Sequence, residues 1–163
     1  MKSLRILDTD LEYVRLCSSH PRPGAAAIVF LHEGLGSISM WRDFPQRVAD
    51  ATGCEAVVYS RYGYGRSTVR RGEARTPRYM HDEALQALPA LLDALGLERP
   101  FLFGHSDGGS IALINAGGSP RPLSGILLMA PHVMVEEVTV AGIRQAGEAW
   151  QHTDLRARLG KHH

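Results

Sequence analysis

The segment with the clearest chemical potential is Gly104-His105-Ser106-Asp107-Gly108, a G-x-S-x-G pattern. It follows the apolar run 100–103 and leads into the apolar run 111–114. A serine between a buried strand and a helix, flanked by glycines two residues away, is typical of a nucleophile elbow. In such an elbow a strained backbone lifts the hydroxyl clear of the sheet. Ser106 is therefore the candidate nucleophile.

A serine nucleophile needs hydrogen-bond donors for the oxyanion that forms when it attacks a carbonyl carbon. One donor in such a site is the backbone N–H of the next residue, here Asp107. The second is expected from the glycine-containing loop that follows a predicted strand ending at Leu31. In that loop Gly34 is the first candidate and Glu33 the second. The alternative is a plain glycine-rich turn between a strand and a helix.

Other polar residues are candidates for the wall of a pocket around Ser106. His32, Glu33 and Leu35 belong to the glycine-containing loop, and His132 follows a predicted strand at 125–129. His132 either lines the pocket or simply packs there. The segment 61–78 could receive a carboxylated substrate, although a solvated basic loop is favoured. Its arginines are Arg61, Arg66, Arg70, Arg71, Arg75 and Arg78.

Alternating strands and helices must position these residues. The predicted strands are 4–7, 11–16, 25–31, 55–59, 101–103 and 125–129, and the predicted helices lie around 41–51, 76–95, 107–116 and 138–150. The second helix is expected to begin with Thr76 as its cap and Pro77 in its first turn, and to bury Leu85, Leu88, Leu92 and Leu95. This order indicates an α/β fold with a mainly parallel sheet and helices on both faces. Reactive groups then collect beyond the carboxyl ends of the strands.

Composition sets limits on the class of protein. The 163 residues suffice for a single domain, 1–163, and the net charge of +1 gives no reason to expect nucleic acid or a membrane as partner. No apolar run is long enough to span a bilayer, and the first residues lack the apolar region of a signal peptide. Cys17 and Cys54 are isolated and have no metal-ligand spacing. We therefore expect a cytoplasmic protein without a metal site.

Three ordered motifs make the chain similar to a known family. They are His32-Glu33-Gly34-Leu35-Gly36-Ser37, then Ser60-Arg61-Tyr62-Gly63-Tyr64-Gly65-Arg66-Ser67, then Gly104-His105-Ser106-Asp107-Gly108-Gly109. In this order they resemble the α/β-hydrolases, especially the small esterase, lactonase and C–C hydrolase branches. The resemblance implies hydrolysis of a small ester, lactone or related carbonyl compound without a cofactor. It also implies that the middle motif is a structural turn near the site, not a phosphate-binding loop.

The chain departs from that family in its last part. The family's triad runs Ser, then Asp or Glu, then His, and the acid and histidine normally follow a lid segment. This chain ends where the lid is expected, so 135–163 is interpreted as the start of a lid and the chain as an N-terminal portion. Glu136 and His152 are weak candidates for the missing acid and base. An incomplete sheet would expose an edge and favour self-association.

Two readings of function therefore stay open at the level of sequence. The first is a serine hydrolase that acts on a small-molecule substrate. The second is a catalytically incomplete fragment, or a binding module that uses the same pocket without turnover. Haloperoxidase-like or transferase chemistry on the same elbow is a further alternative within enzymes.

Overall fold

A six-stranded sheet forms the centre of the described residues, 1–72 and 74–163 of the computed structural model. The strands are β1 Lys2–Ile6, β2 Thr9–Leu16, β3 Ile28–Leu31, β4 Ala56–Tyr59, β5 Phe101–His105 and β6 Gly125–Met129, in the spatial order β1-β2-β4-β3-β5-β6. The hairpin of β1 and β2 joins β4 in antiparallel pairing, and β4, β3, β5 and β6 run parallel. The predicted mainly parallel sheet is confirmed.

Helices and turns connect the strands. The α-helices are α1 Phe44–Thr52, α2 Tyr79–Asp82, α3 Leu88–Ala94, α4 Asp107–Gly118, α5 Glu137–His152 and α6 Leu155–Leu159. A 3₁₀ turn, Ile38–Trp41, precedes α1, and a π-helical segment, Glu83–Ala87, joins α2 to α3. β3 and β4 are buried along their whole length, as continuous apolar strands in a helix-covered parallel sheet should be.

Two apolar clusters lie on opposite faces of the sheet. On one face, Val29, Val57 and Leu102 of the strands pack with buried side chains of α3 and α4. On the other, Phe30 and Val58 pack against α1 and the 3₁₀ turn before it. Because successive residues of a strand point to opposite faces, the odd and even positions of each strand build different cores. The expectation of helices on both faces is thus confirmed, and the sheet fixes the carboxyl ends of β3 and β5 side by side.

The second predicted helix begins later than expected, and one of its four predicted inward leucines is exposed. Thr76 and Pro77 precede it, and α2 begins at Tyr79 with no side-chain cap. Leu88, Leu92 and Leu95 are buried as predicted, whereas Leu85 is 38% exposed. Leu91, which was not predicted to face inward, is fully buried as well. Leu85 lies within the π-helical segment, where the wider turn departs from the α-helical spacing on which the prediction rested.

The first predicted helix is shorter than its apolar spacing suggests. Trp41 lies in the 3₁₀ turn before α1, and Phe44 is 37% exposed at the first helical position. Pro45 lies in the first turn and Gly53 ends the helix with a φ of 72°, both as predicted. The aromatic rings of Trp41 and Phe44 pack on each other and on Phe30, while Pro45 and Ala49 form the buried face of the helix.

The last part of the chain, 135–163, consists mainly of α5 and α6. No residue of α5 is buried, so this helix contributes little to either core. Within the described ranges no helix is long and apolar enough to cross a membrane.

Candidate active site

Ser106 lies at the junction of β5 and α4, at the carboxyl end of the parallel sheet. Its φ of 52° and ψ of −116° are unusual for a residue with a side chain. The strand and helix approach so closely here that a Cβ at Gly104 would collide with the backbone of Gly108, and a Cβ at Gly108 with the Leu31 carbonyl. The two glycines of the motif are therefore sterically required, and they allow the sharp turn that presents Ser106.

The predicted oxyanion loop, residues 32–37, follows β3 directly and lies beside the elbow. A Cβ placed on Gly34 would lie 3.2 Å from Oδ2 of Asp107, so this loop and the start of α4 face each other. Tyr64 donates its hydroxyl to the Gly34 carbonyl at 2.8 Å, which turns that carbonyl away toward the middle motif. The Glu33 carboxylate accepts from the Leu35 amide within the loop, and Leu35 itself is 47% exposed.

His32 and Arg61 form a buried link between the oxyanion loop and the end of β4. The Arg61 amide donates to Nε2 of His32 at 3.1 Å, and Nδ1 of His32 donates to the Glu33 carbonyl at 2.7 Å. The Arg61 guanidinium donates to the same carbonyl at 2.9 Å. Burial, reinforced by Arg61, holds the pKa of His32 well below the usual histidine range, so the ring is neutral. His32 thus links the oxyanion loop to the end of β4, and it also lies in the wall of a cavity beside Trp41.

Arg61 does not belong to a solvated basic loop. It is 3% exposed, and its guanidinium lies 3.7 Å from the Asp107 carboxylate. A long cation can be buried in this way when carbonyl groups and a carboxylate surround its donors. The interpretation of the arginine segment as a solvated face is wrong for Arg61.

The Asp107 side chain is the charged centre of the site. Tyr79 donates its hydroxyl to Oδ2 at 3.0 Å, and Nε2 of His132 lies 3.9 Å from Oδ1. Burial and the neighbouring carboxylate raise the pKa of Tyr79, which keeps its hydroxyl protonated as a donor. Arg61 and Tyr79 together compensate the negative charge that α4 buries next to Ser106.

His132 is the side chain that meets Ser106. Its Nε2 lies 2.9 Å from the Ser106 Oγ, across the turn that follows β6. From the sequence, this histidine is predicted only as possible pocket lining. Its position directly after a strand is the one signal that could have predicted its contact with Ser106. A hydroxyl and an imidazole nitrogen at this distance can exchange a proton.

The two weak candidates for a triad are not brought to Ser106. Glu136 precedes the first residue of α5 and His152 is its last residue, and both are exposed. No hydrogen bond or ion pair joins either of them to Ser106 within the described ranges. The cause is that α5 lies outside the core, so the sheet does not direct its residues toward the elbow.

Two cavities flank the candidate residues. One of about 370 Å³ includes Tyr79, His81, Ser110 and His132 in its wall. The other, of about 250 Å³, has the oxyanion loop on one side and Trp41 on the other. Among the described residues no group of three or more histidine, cysteine, aspartate or glutamate side chains is arranged to hold a metal ion.

Comparison with known proteins identifies the family and the part of the chain that matches it. A family model for the α/β hydrolase fold matches residues 26–159. Proline iminopeptidase of Lactobacillus delbrueckii subsp. lactis is 32% identical over 89 residues, which are 55% of this chain and 30% of that protein.

Solved structures share the same fold. A carboxylesterase structure from the thaumarchaeon Nitrososphaera gargenis superposes with a TM-score of 0.76 at 21% identity, over 99% of this chain and 57% of that one. The enol-lactonase of Burkholderia xenovorans LB400 superposes with a TM-score of 0.63 at 19% identity, over 77% of this chain and 45% of that one.

The chain therefore spans about half of these solved relatives and a smaller share of the iminopeptidase. The match of the family model over most of its length, together with the sheet order and the strained serine between β5 and α4, leads to one conclusion. The chain belongs to the α/β hydrolase fold family.

Proposed function

We propose that the protein is a serine hydrolase in which Ser106 attacks the carbonyl carbon of a small ester, lactone or related acyl compound. The observation that carries this proposal is the left-handed backbone of Ser106, with a φ of 52° at a strand-to-helix junction. Strain of about 1 to 3 kcal/mol is retained at a non-glycine residue chiefly where function requires it. No structural role of the Ser106 hydroxyl in a core explains that strain, because the side chain points toward the His132 ring at the surface.

The backbone amides of Gly34 and Asp107 are the proposed oxyanion donors. Neither amide donates to a protein acceptor within residues 1–72 and 74–163. The Asp107 amide belongs to the first turn of α4, where helical N–H groups have no partner in the helix and favour negative charge. The nearby Asp107 carboxylate would repel an oxyanion, but Arg61 and Tyr79 offset its charge.

The names of proteins that share the fold support the proposed substrate class. A carboxylesterase, an enol-lactonase and a proline iminopeptidase are among them, and all three names denote action on a carbonyl carbon bonded to oxygen or nitrogen. We propose a small-molecule acyl substrate on this basis. The chemistry requires neither a metal nor an organic cofactor, because the nucleophile and both oxyanion donors belong to the chain.

Labelling with a fluorophosphonate tests this function, because such probes react with an activated serine. The purified chain should take up one equivalent of probe on Ser106, located by peptide mass mapping, and should hydrolyse p-nitrophenyl acetate. Ser106→Ala should lose both properties. Ser3→Ala, which removes an exposed hydroxyl on β1 far from the elbow, serves as the matched control and should retain both.

A folded protein that takes up no probe and shows no hydrolysis would contradict the proposal. That result would favour the second reading of the sequence, a catalytically incomplete hydrolase or a binding module with the same fold. Label on a serine other than Ser106 would contradict it as well.

A further inference from the structure

The Gly34 amide belongs to a peptide unit whose carbonyl is that of Glu33. Among the described residues no peptide bond is cis, so the Gly34 N–H and the Glu33 C=O point in opposite directions within one planar unit. The direction of this carbonyl therefore sets the direction of the N–H. A group that holds the Glu33 carbonyl also aims the Gly34 amide.

Two donors hold the Glu33 carbonyl, and one of them is a buried cation. Nη2 of Arg61 donates to this oxygen at 2.9 Å, and Nδ1 of His32 donates to it at 2.7 Å. Since a carbonyl oxygen has two lone pairs, the two donors together fix its direction. The bond from the guanidinium is charge-assisted and polarises the peptide, which makes the Gly34 N–H a stronger donor.

The same nitrogen of Arg61 reaches the segment that carries the other proposed oxyanion donor. Nη2 lies 3.7 Å from Oδ2 of Asp107, the first residue of α4. Salt screens this ion pair little, because Arg61 is 3% exposed. One guanidinium nitrogen thus spans the oxyanion loop and the start of α4. The separation of the Gly34 and Asp107 amides depends on this contact.

The middle motif also holds the guanidinium and the far side of Gly34. The Arg61 Cζ lies 4.9 Å from the centre of the Tyr64 ring, and Nη2 lies 3.4 Å from the His32 carbonyl. Tyr64 in turn donates to the Gly34 carbonyl at 2.8 Å. The carbonyl groups on both sides of the Gly34 Cα are therefore held by Arg61 and Tyr64.

We propose that Arg61 is the positioning residue of the oxyanion hole; this inference rests on the function proposed above. Its guanidinium orients and polarises the Gly34 amide through the Glu33 carbonyl, and it sets the distance between the oxyanion loop and α4. Arg61 acts through these groups and not by contact with the substrate. Its effect is confined to the transition state, in which the substrate oxygen becomes negative, so kcat depends on it and KM does not.

Hydrolysis of p-nitrophenyl acetate by the full 163-residue chain tests this inference. Removal of one oxyanion donor lowers kcat about 100- to 1000-fold, so Arg61→Met, which misdirects one, should lower kcat at least about 10-fold without a matching rise in KM. Arg47→Met, at an exposed position on α1, is the matched control and should keep both constants. Equal kcat values for wild type and Arg61→Met would overturn the inference.

A second background separates positioning from charge and from folding. Arg61→Met alone leaves the buried Asp107 carboxylate without its cation, which destabilises a fold, whereas Arg61→Met combined with Asp107→Asn removes both charges. Arg61→Met should lower kcat by a similar factor when Asp107→Asn is already present, because the Glu33 carbonyl still loses its cationic donor. If the loss disappears in that background, Arg61 only offsets the charge of Asp107 and the inference is wrong.

Added guanidinium gives a readout that a folding defect does not move. Millimolar guanidinium chloride should raise kcat of Arg61→Ala in a saturable manner, since the ion fits the space that the side chain leaves. The same addition should not raise kcat of Arg47→Met. An Arg61→Ala chain that is folded, slow and unresponsive to guanidinium would contradict the inference.

The outcomes distinguish this inference from the proposed function. If wild type takes up fluorophosphonate on Ser106 and hydrolyses the ester, and the Arg61 variants match it, only the role of Arg61 is wrong. If the folded wild type neither labels nor hydrolyses, both proposals fail.

Discussion

His32 joins the oxyanion loop to the end of β4 through both nitrogens of its ring. Nδ1 donates to the Glu33 carbonyl and Nε2 accepts from the Arg61 amide, an arrangement open only to the neutral ring. A proton on Nε2 would remove that acceptor and place a second positive charge beside the buried Arg61 guanidinium. The geometry of the loop is therefore linked to pH.

Stability should fall in acid because of His32. Its pKa is well below 6.5 in the folded protein and near 6.5 in the unfolded chain, so protons bind preferentially to the unfolded state below that pH. The free energy of unfolding should decrease by up to about 1.4 kcal/mol for each pH unit below about 6.5. Urea titrations at several pH values between 7.5 and 5 would measure this slope.

His32→Gln is the comparison that isolates this effect, and its slope should be smaller than that of the wild type. Glu83 has the opposite sign, since burial raises its pKa, but it contributes equally to both proteins. His152→Gln, at an exposed position, should behave like the wild type. Equal slopes for wild type and His32→Gln would show that the ring is protonated alike in both states.

At the scale of elements, the turn after β4 is tied to the β1–β2 hairpin by a buried polar network. Ser60 donates to the Glu12 carboxylate at 2.6 Å, the Arg66 amide donates to the same oxygen at 2.9 Å, and Ser67 accepts from the Glu12 amide at 3.0 Å. This is the role that the family resemblance implies for the middle motif: a structural turn near the site. The Gly65 backbone packs directly against the Glu12 and Ser60 side chains of this network.

Gly65→Ala should destabilise the fold by at least about 3 kcal/mol. Its φ of 54° strains any side chain by roughly 1 to 2 kcal/mol, and the new Cβ would also collide with Glu12 and Ser60. Gly96→Ala is the matched control, because Gly96 has a φ of 67° with no atom within 4 Å of the added Cβ. This variant should lower the free energy of unfolding only by the backbone strain of a side chain at positive φ. Equal losses of unfolding free energy for the two variants, measured in urea, would show that the polar network accommodates the added methyl group without destabilisation.

At the scale of the whole molecule, the two faces of the sheet are covered unequally at β6. Ile126 and Leu128 pack against the core formed with α3 and α4. Leu127 and Met129 point to the opposite face and are 44% and 43% exposed. Because β6 is also an edge strand of the sheet that the described residues form, its outer edge and these side chains form a surface suited to pairing with another chain.

We predict that a second copy of this chain binds at the β6 edge. Sedimentation velocity should show a mass that increases with protein concentration. Leu127→Lys should shift the protein toward the monomer, since a charge on an edge strand opposes pairing. Val69→Lys, at an exposed apolar residue in the turn region away from β6, should leave the association unchanged. A single monomeric boundary at every concentration of wild type would contradict this prediction.

The class of fold and the position of the strained serine could both be predicted from the order of residues. Both depend on local signals: apolar runs that alternate with amphipathic segments, and glycines at fixed offsets from Ser106. Gly104 and Gly108 are confirmed as points of close backbone approach. The signals for helix boundaries were less reliable, since α2 begins at Tyr79 although Thr76 and Pro77 offered a cap and a first turn.

The side chains that meet at Ser106 depend on how the elements pack in three dimensions. His132 lies 26 residues away along the chain, and the partners of Asp107, Tyr79 and Arg61, come from other elements. A parallel sheet brings strand ends to one edge, but the reversal at Ala130 and the hydroxyl of Ser110 aim His132 at the serine. These are long-range contacts, set by packing between α4 and β6, and no local pattern of residues encodes them.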